Sequence, residues 1–268
     1  MNAANGAEQI PHAPTRIVSL SATATETLFA IGAGKQVVAV DETSNYPPGV
    51  PTTKLSSLNP NVEAIAAYKP DLVVAAEDTG GLFDNLKRLS IPALLAPAAK
   101  TLDDSYAQIL ELGKATGHDG EAADVEKKMR GEITDLVAQV PKRTKHVTYY
   151  HELDNTLYSV TSDTFVGQLY KMVGLENIAD ATQDKAGGYP QLSDEFVLKA
   201  QPDFIFLADT KCCHQTPATV AARPGWADLP AVKQGHVVPL DDDIASRWGP
   251  RVPEFLKIVV GATKGAGV

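Results

Sequence analysis

Asn61-Val-Glu63-Ala-Ile-Ala-Ala-Tyr-Lys-Pro70-Asp71-Leu-Val-Val-Ala-Ala-Glu-Asp78 and Ser193-Asp-Glu195-Phe-Val-Leu-Lys-Ala-Gln-Pro202-Asp203-Phe-Ile-Phe-Leu-Ala-Asp-Thr210 decide the fold, and they stand 132 residues apart. Each reads as a glutamate, six residues, Pro-Asp and a four-residue apolar run. A proline stops a helix and an apolar run of that length suits a fully buried strand, so each stretch is one helix feeding one strand. A weaker echo at an offset of 140 pairs Gly34 and Val38 with Gly174 and Ile178. Two copies of such a unit predict two related α/β lobes.

Working outward, Arg16-Ile-Val-Ser-Leu20, Gln36 to Val40, Asp71 to Ala75 and Pro92 to Ala96 read as strands, with helices over Thr23 to Ala33, Gly81 to Leu89 and Leu102 to Thr116. Asp41 to Asn59 reads as a loop, and Asn59-Pro60 as the cap and first position of a short helix. Val125, Met129, Ile133, Leu136 and Val140 recur at helical spacing, so Gly120 to Val140 is one long helix of about 30 Å, ended by Pro141. The pattern then restarts with strands over His146 to Tyr150, Asp203 to Leu207 and His236 to Leu240. Its helices are Thr164 to Val173, Ser193 to Ala200 and one from Val252 onward. The expected architecture is two Rossmann-like lobes with parallel sheets, residues 14–117 and 142–268, joined by one rigid helix over 118–141, with a ligand cleft between the lobes.

Composition narrows the function. The chain has 268 residues, 44% hydrophobic and 21% charged, enough to bury a sizeable core. A formal net charge of −9 argues against a nucleic-acid partner or a polybasic membrane contact. Cys212 and Cys213 are adjacent and cannot staple distant segments; they read as a loop thiol pair or a vicinal disulfide. The chain opens Met1-Asn-Ala-Ala-Asn-Gly-Ala-Glu, without the basic and apolar regions of a signal peptide.

Enzyme signatures fail on inspection. Gly32-Ala-Gly34-Lys35 lacks the Ser/Thr that a phosphate loop needs after its lysine, and His151-Glu152 has no second histidine to complete a zinc helix. Cys212-Cys213-His214 cannot easily converge on one ion, and no metal site is expected. Asp241-Asp242-Asp243 follows a strand and reads as a solvated loop or helix cap, or else as a cation site. Aromatics are scarce, at 7 Phe, 8 Tyr and 2 Trp. Tyr46, Tyr158, Tyr189 and the pair Arg247-Trp248, placed in loops, therefore point to stacking on a large, flat or amphipathic ligand. Glu63 and Glu195 occupy matching first turns, where a carboxylate favours the helix dipole and could also serve as one acidic knob per lobe for a basic partner.

Residues 16–32, Asn45-Tyr-Pro-Pro48, Asn61-Val-Glu63 with Lys69-Pro-Asp-Leu-Val73, Tyr189-Pro-Gln-Leu-Ser193-Asp-Glu195 and Arg247-Trp-Gly-Pro-Arg251 occur in an order and spacing that resembles the class III substrate-binding proteins of ABC importers. That group carries vitamin B12, haem and ferric siderophores. The resemblance spans roughly residues 14–262 and implies two lobes on one helix, cargo between them, and one glutamate per lobe, here Glu63 and Glu195, docking on a permease dimer. It implies a non-enzyme with no cofactor of its own, a monomer exported to the periplasm or tethered at the cell surface, its signal segment absent from this chain. Asn45-Tyr46-Pro-Pro and Tyr189-Pro-Gln-Leu-Ser resemble the vitamin B12-binding branch most, so a corrinoid is the favoured cargo. Ser57 and Ala76 stand where that branch has tryptophans. A ferric siderophore, with Lys211 and Arg247 as the cations, is the alternative; haem would need Tyr46, His151 or His214 as ligand. The rival from another class is a two-lobed metal-dependent enzyme using His151, Glu152 and Asp241 to Asp243, which must converge on one point.

Overall fold

Ile17–Leu20 (β1) is buried at every position, as a parallel strand covered on both faces must be. The computed structural model describes residues 2–3, 6–7, 10, 12–140 and 142–266; Pro141, the expected helix stop, lies outside the described residues. Around β1 lie Val37–Asp41 (β2), Thr52–Leu55 (β3), Leu72–Ala75 (β4) and Ala93–Leu95 (β5), in a five-stranded sheet of order β3-β2-β1-β4-β5 with every pairing parallel. The helices of this part are Ala22–Ala30 (α1), Val62–Ala66 (α2), Leu82–Arg88 (α3) and Leu102–Thr116 (α4).

Asp119–Ala138 (α5) is the long helix, and Ala122, Met129 and Ile133 form its buried side. Val140, the last apolar residue of the expected stripe, falls beyond its end. The chain divides into two compact units, Met1–Arg130 with Trp248–Pro250 and Gly131–Arg247 with Arg251–Val268, the division falling inside α5.

The second unit holds Thr148–Glu152 (β6), Glu176–Asn177 (β7), Phe204–Leu207 (β8) and Val237–Pro239 (β9), all parallel in the order β9-β8-β6-β7. Its helices are Phe165–Met172 (α6), Asp194–Ala200 (α7), Pro217–Ala221 (α8), Pro230–Lys233 (α9), Asp242–Ser246 (α10) and Val252–Thr263 (α11).

The repeat survives down to individual hydrogen bonds. Ile17 pairs with Leu72 in the first sheet and Tyr149 with Phe204 in the second, both partners displaced by the same 132 residues. Asp71 N–H donates to Arg16 O at 3.0 Å and its carboxylate accepts from the amides of Thr15 and Arg16; Asp203 N–H donates to Thr148 O at 3.1 Å and its carboxylate accepts from the amide of Thr148. The Asp of each Pro-Asp pair thus clamps two strand starts together, and the hydrogen bonds it accepts offset the cost of placing a carboxylate there.

Differences from the sequence reading have local causes. Thr52–Leu55 is an edge strand with only Leu55 buried, so no apolar alternation marks it within the stretch read as a loop. Helix α2 begins two residues later than expected: Asn61, not Asn59, caps it, accepting from Ala64 N–H at 2.9 Å. Strand β6 runs on through His151 and Glu152, both buried, where the reading ended at Tyr150. Of the 12 aromatic residues after residue 144, seven go to the core: Tyr149, Tyr150, Tyr170, Phe204, Phe206, Trp226 and Phe255 are all fully buried.

Candidate functional site

In parallel sheets the loops after the strands carry function, and most of the expected site residues follow strands. In the first unit the loop after β2 carries Tyr46, which is exposed. Its root is fixed by a buried polar network. Asp41 accepts from Ser44 Oγ at 2.5 Å and from Thr43 Oγ1 at 2.7 Å, while Thr25 Oγ1 donates to Ser19 Oγ and lies 2.9 Å from Ser44 Oγ. A buried carboxylate without these hydroxyls would be costly, so they hold the loop in one conformation. Glu63 is exposed in the first turn of α2.

In the second unit, residues 157–161 and 188–192 run antiparallel: Tyr158 bridges Gln191, Ser159 N–H donates to Pro190 O, and Thr161 N–H donates to Gly188 O. This short ribbon brings together two exposed tyrosines from separate loops, Tyr158 at 40% and Tyr189 at 51% exposure. Rings so exposed contribute little to the core and present flat apolar faces. Glu195 is exposed in the first turn of α7, the counterpart of Glu63.

Lys211 and Arg247 are matched by acids within the same unit. Lys211 Nζ donates to Asp241 at 2.8 Å and to Asp243 at 2.6 Å, and Arg247 Nη2 donates to Asp243 at 2.7 Å. Asp242 accepts from the amides of Thr210, Lys211 and Cys212, and Asp241 caps α10. The acidic run is therefore a helix cap and loop clamp. Cys212 and Cys213 are free thiols; burial, the neighbouring thiol and nearby carboxylates push the Cys212 thiol up to about 12, so it stays protonated and a poor metal ligand. Trp248 packs with the first unit: its indole N–H donates to Gln108 at 3.0 Å and its carbonyl accepts from Ser105.

The end of β6 carries the residues of the rival enzyme reading. His151 is fully buried with Nδ1 2.8 Å from the Tyr170 hydroxyl, and burial lowers its pKa to about 3, so the ring is neutral. Glu152 points to the opposite side of the strand, by strand alternation, where Arg223 grips it through both oxygens at 2.6 and 2.5 Å. His151 and Glu152 thus face opposite sides of the strand, and among the described residues no group of three or more His, Cys, Asp or Glu is placed to hold a metal ion. His151 is likewise closed to a haem iron, which leaves Tyr46 and His214 of the three ligands considered. Arg223 and its partners have no signal in the sequence, because Glu152 and Arg223 lie 71 residues apart with no local spacing to reveal them.

Comparison with known proteins places these features in a family. The family model described as periplasmic binding protein matches residues 17–244. An uncharacterized ABC transporter substrate-binding lipoprotein of Bacillus subtilis is 30% identical over 263 residues, covering 94% of this chain and 81% of that protein. The periplasmic vitamin B12-binding protein of Vibrio cholerae is similar in structure, with a TM-score of 0.77 at 27% identity over 95% of this chain and 98% of that one. The apo form of a periplasmic haem-binding protein from Roseiflexus sp. RS-1 has a TM-score of 0.82 at 26% identity, covering 94% and 99%. These relatives are described as substrate-, vitamin B12- and haem-binding proteins, the first of an ABC transporter, and no helix among the described residues is long and apolar enough to cross a membrane. With two parallel α/β units, a duplicated strand register and a family match across most of its length, the chain belongs to the periplasmic binding protein family, as an ABC-type substrate-binding protein of the group that includes B12, haem and siderophore carriers.

Proposed function

We propose that the protein captures a corrinoid of the vitamin B12 type and delivers it to an ABC permease. The observation that carries this reading is the pairing of exposed tyrosine faces with cations already neutralised. Tyr158 and Tyr189 on their ribbon, and Tyr46 on its own loop, offer stacking surfaces, while Lys211 and Arg247 are held by Asp241 and Asp243. A strongly anionic tris-catecholate ferric complex needs uncompensated cations; a corrinoid, large and amide-rich, needs apolar faces and hydrogen-bonding groups. Trp248 can offer a ring face but no side-chain hydrogen bond, since its single donor, the indole N–H, is already given to Gln108. On this reading the protein is an exported monomer, the chelate is cargo rather than cofactor, no turnover occurs, and Glu63 and Glu195 dock on the permease.

The test is to titrate the purified protein with cyanocobalamin, haemin and a ferric hydroxamate, recording absorption spectra and binding heats. Cyanocobalamin should bind tightest, and Tyr158→Ala and Tyr189→Ala should each weaken it by about tenfold, equivalent to ~1.4 kcal/mol. A haem Soret shift that disappears in Tyr46→Phe or His214→Ala would replace the corrinoid with haem. Tight binding of the hydroxamate alone would replace it with a siderophore.

A further inference from the structure

Glu152, at the end of β6, is fully buried, and so is Trp226; between them lies Arg223, whose guanidinium grips Glu152 at 2.6 and 2.5 Å and sits 4.6 Å above the Trp226 ring. Gln215 holds the same guanidinium at 2.8 Å. Trp226 Nε1–H in turn donates to Asp194 Oδ1 at 2.8 Å, and Asp194 is the first residue of α7, immediately before Glu195. A continuous chain of directional contacts thus joins the strand end to the helix turn that presents Glu195.

The first unit does without it. At the 132-residue offset Glu152 corresponds to Leu20 and Asp194 to Val62, so both ends of the chain are apolar there. Leu20 and Val62 belong to one apolar cluster with Leu82 and Leu86. There the first turn of the matching helix meets the strand end through apolar packing of Val62 rather than through a polar chain. A buried ion pair costs desolvation that an apolar pair avoids, so stability is a weak reason for the polar version. What a bidentate pair, a cation–π contact and an indole hydrogen bond add is direction.

We propose that Trp226 is a positioning residue for Glu195: the Glu152–Arg223–Trp226–Asp194 chain is a strut that fixes the first turn of α7 to the end of β6. The proposal rests on the docking role assigned to Glu195. The strut itself is tested without a partner, by hydrogen exchange of the full protein. Asp194→Val copies the residue of the first unit and removes the acceptor, and Asp194→Asn removes the charge but keeps an acceptor oxygen for the indole. Exchange at the amides of residues 196–199 should rise by about fivefold or more in Asp194→Val and stay near the parent in Asp194→Asn, with β6 and β8 unaffected in both. Trp226→Phe, which keeps a ring under Arg223, should behave like Asp194→Val. If Asp194→Asn and Asp194→Val loosen the turn equally, the effect is helix-dipole charge and the strut is overturned; if neither loosens it, the strut is overturned as well. Retention on membranes carrying the permease separates the two readings. Asp194→Val should weaken retention as Glu195→Ala does, whereas full retention of Glu195→Ala would overturn the docking role and leave the exchange result to judge the strut.

Discussion

Asp209 is a buried carboxyl whose protonation ties stability to pH. It is fully buried, with the Glu152 carboxylate beside it. Burial first, then that carboxylate, pushes the Asp209 pKa from 3.8 up to about 8; Arg223 pulls the other way and Asp242 adds to the rise. The folded chain therefore holds this proton over a range in which the unfolded chain has released it. Stability contributed by the group is greatest below its ordinary value of 3.8, declines as pH climbs from there to about 8, and does not fall further above it. An asparagine stands in for the protonated acid at all pH values. Asp209→Asn should thus gain more over the parent at pH 9 than at pH 5, by a difference of at least ~1 kcal/mol or roughly 2–4 °C in Tm for a chain of this size. Thermal melts at the two pH values read it directly, and an equal gain at both would show that Asp209 is not the titrating group. In the sequence Asp209 is only one more residue after a strand: burial and the approach of Glu152 are products of the sheet register and have no local signature.

Among the elements, the corner between α4 and α5 is held by close approach. Gly117 closes α4 in the left-handed region at φ +77°, and a Cβ on Gly113 would come within 2.3 Å of the Ala122 side chain and 3.0 Å of the His118 carbonyl. Gly113→Val should force the two helices apart at a cost of about 2 kcal/mol or more, since neither backbone nor a methyl can yield cheaply. Its Tm should fall by roughly 4 °C or more, and a Tm unchanged from the parent would mean the corner is loose. The elements best read from the sequence are those with an apolar pattern: the four-residue buried strands and α5, whose expected stripe is buried at Met129 and Ile133 and partly buried at Val125 and Leu136. Those without one stay hidden. Thr52–Leu55 buries a single side chain, Glu176–Asn177 is two residues long, and α8, α9 and α10 have four or five residues each, shorter than two helical turns.

Over the whole molecule the repeat is the feature with most consequence, because it is visible as a string and preserved as a hydrogen-bond register. The string alone also singles out Glu63 and Glu195, and the loop tyrosines stand out because aromatics are scarce. The buried strut is not legible in this way, although the paired exchange of Leu20 for Glu152 and Val62 for Asp194 lies in the same comparison. Glu63 and Glu195 are each the second residue of a capped helix, Asn61 accepting from Ala64 and Ser193 from Phe196, so the two carboxylates are presented by the same local geometry. A permease dimer offering the same basic pocket twice would meet the same acid twice. Two linked contacts bind far more tightly than either alone, so loss of one should weaken membrane retention by about tenfold and loss of both should reduce it to background. Because both side chains are exposed and outside the tyrosine loops, Glu63→Ala with Glu195→Ala should leave cyanocobalamin affinity within about twofold of the parent and the Tm nearly unchanged. Retention of the double variant at the parental level would show that the matched glutamates are only helix-start residues, placed twice because the helix was copied twice.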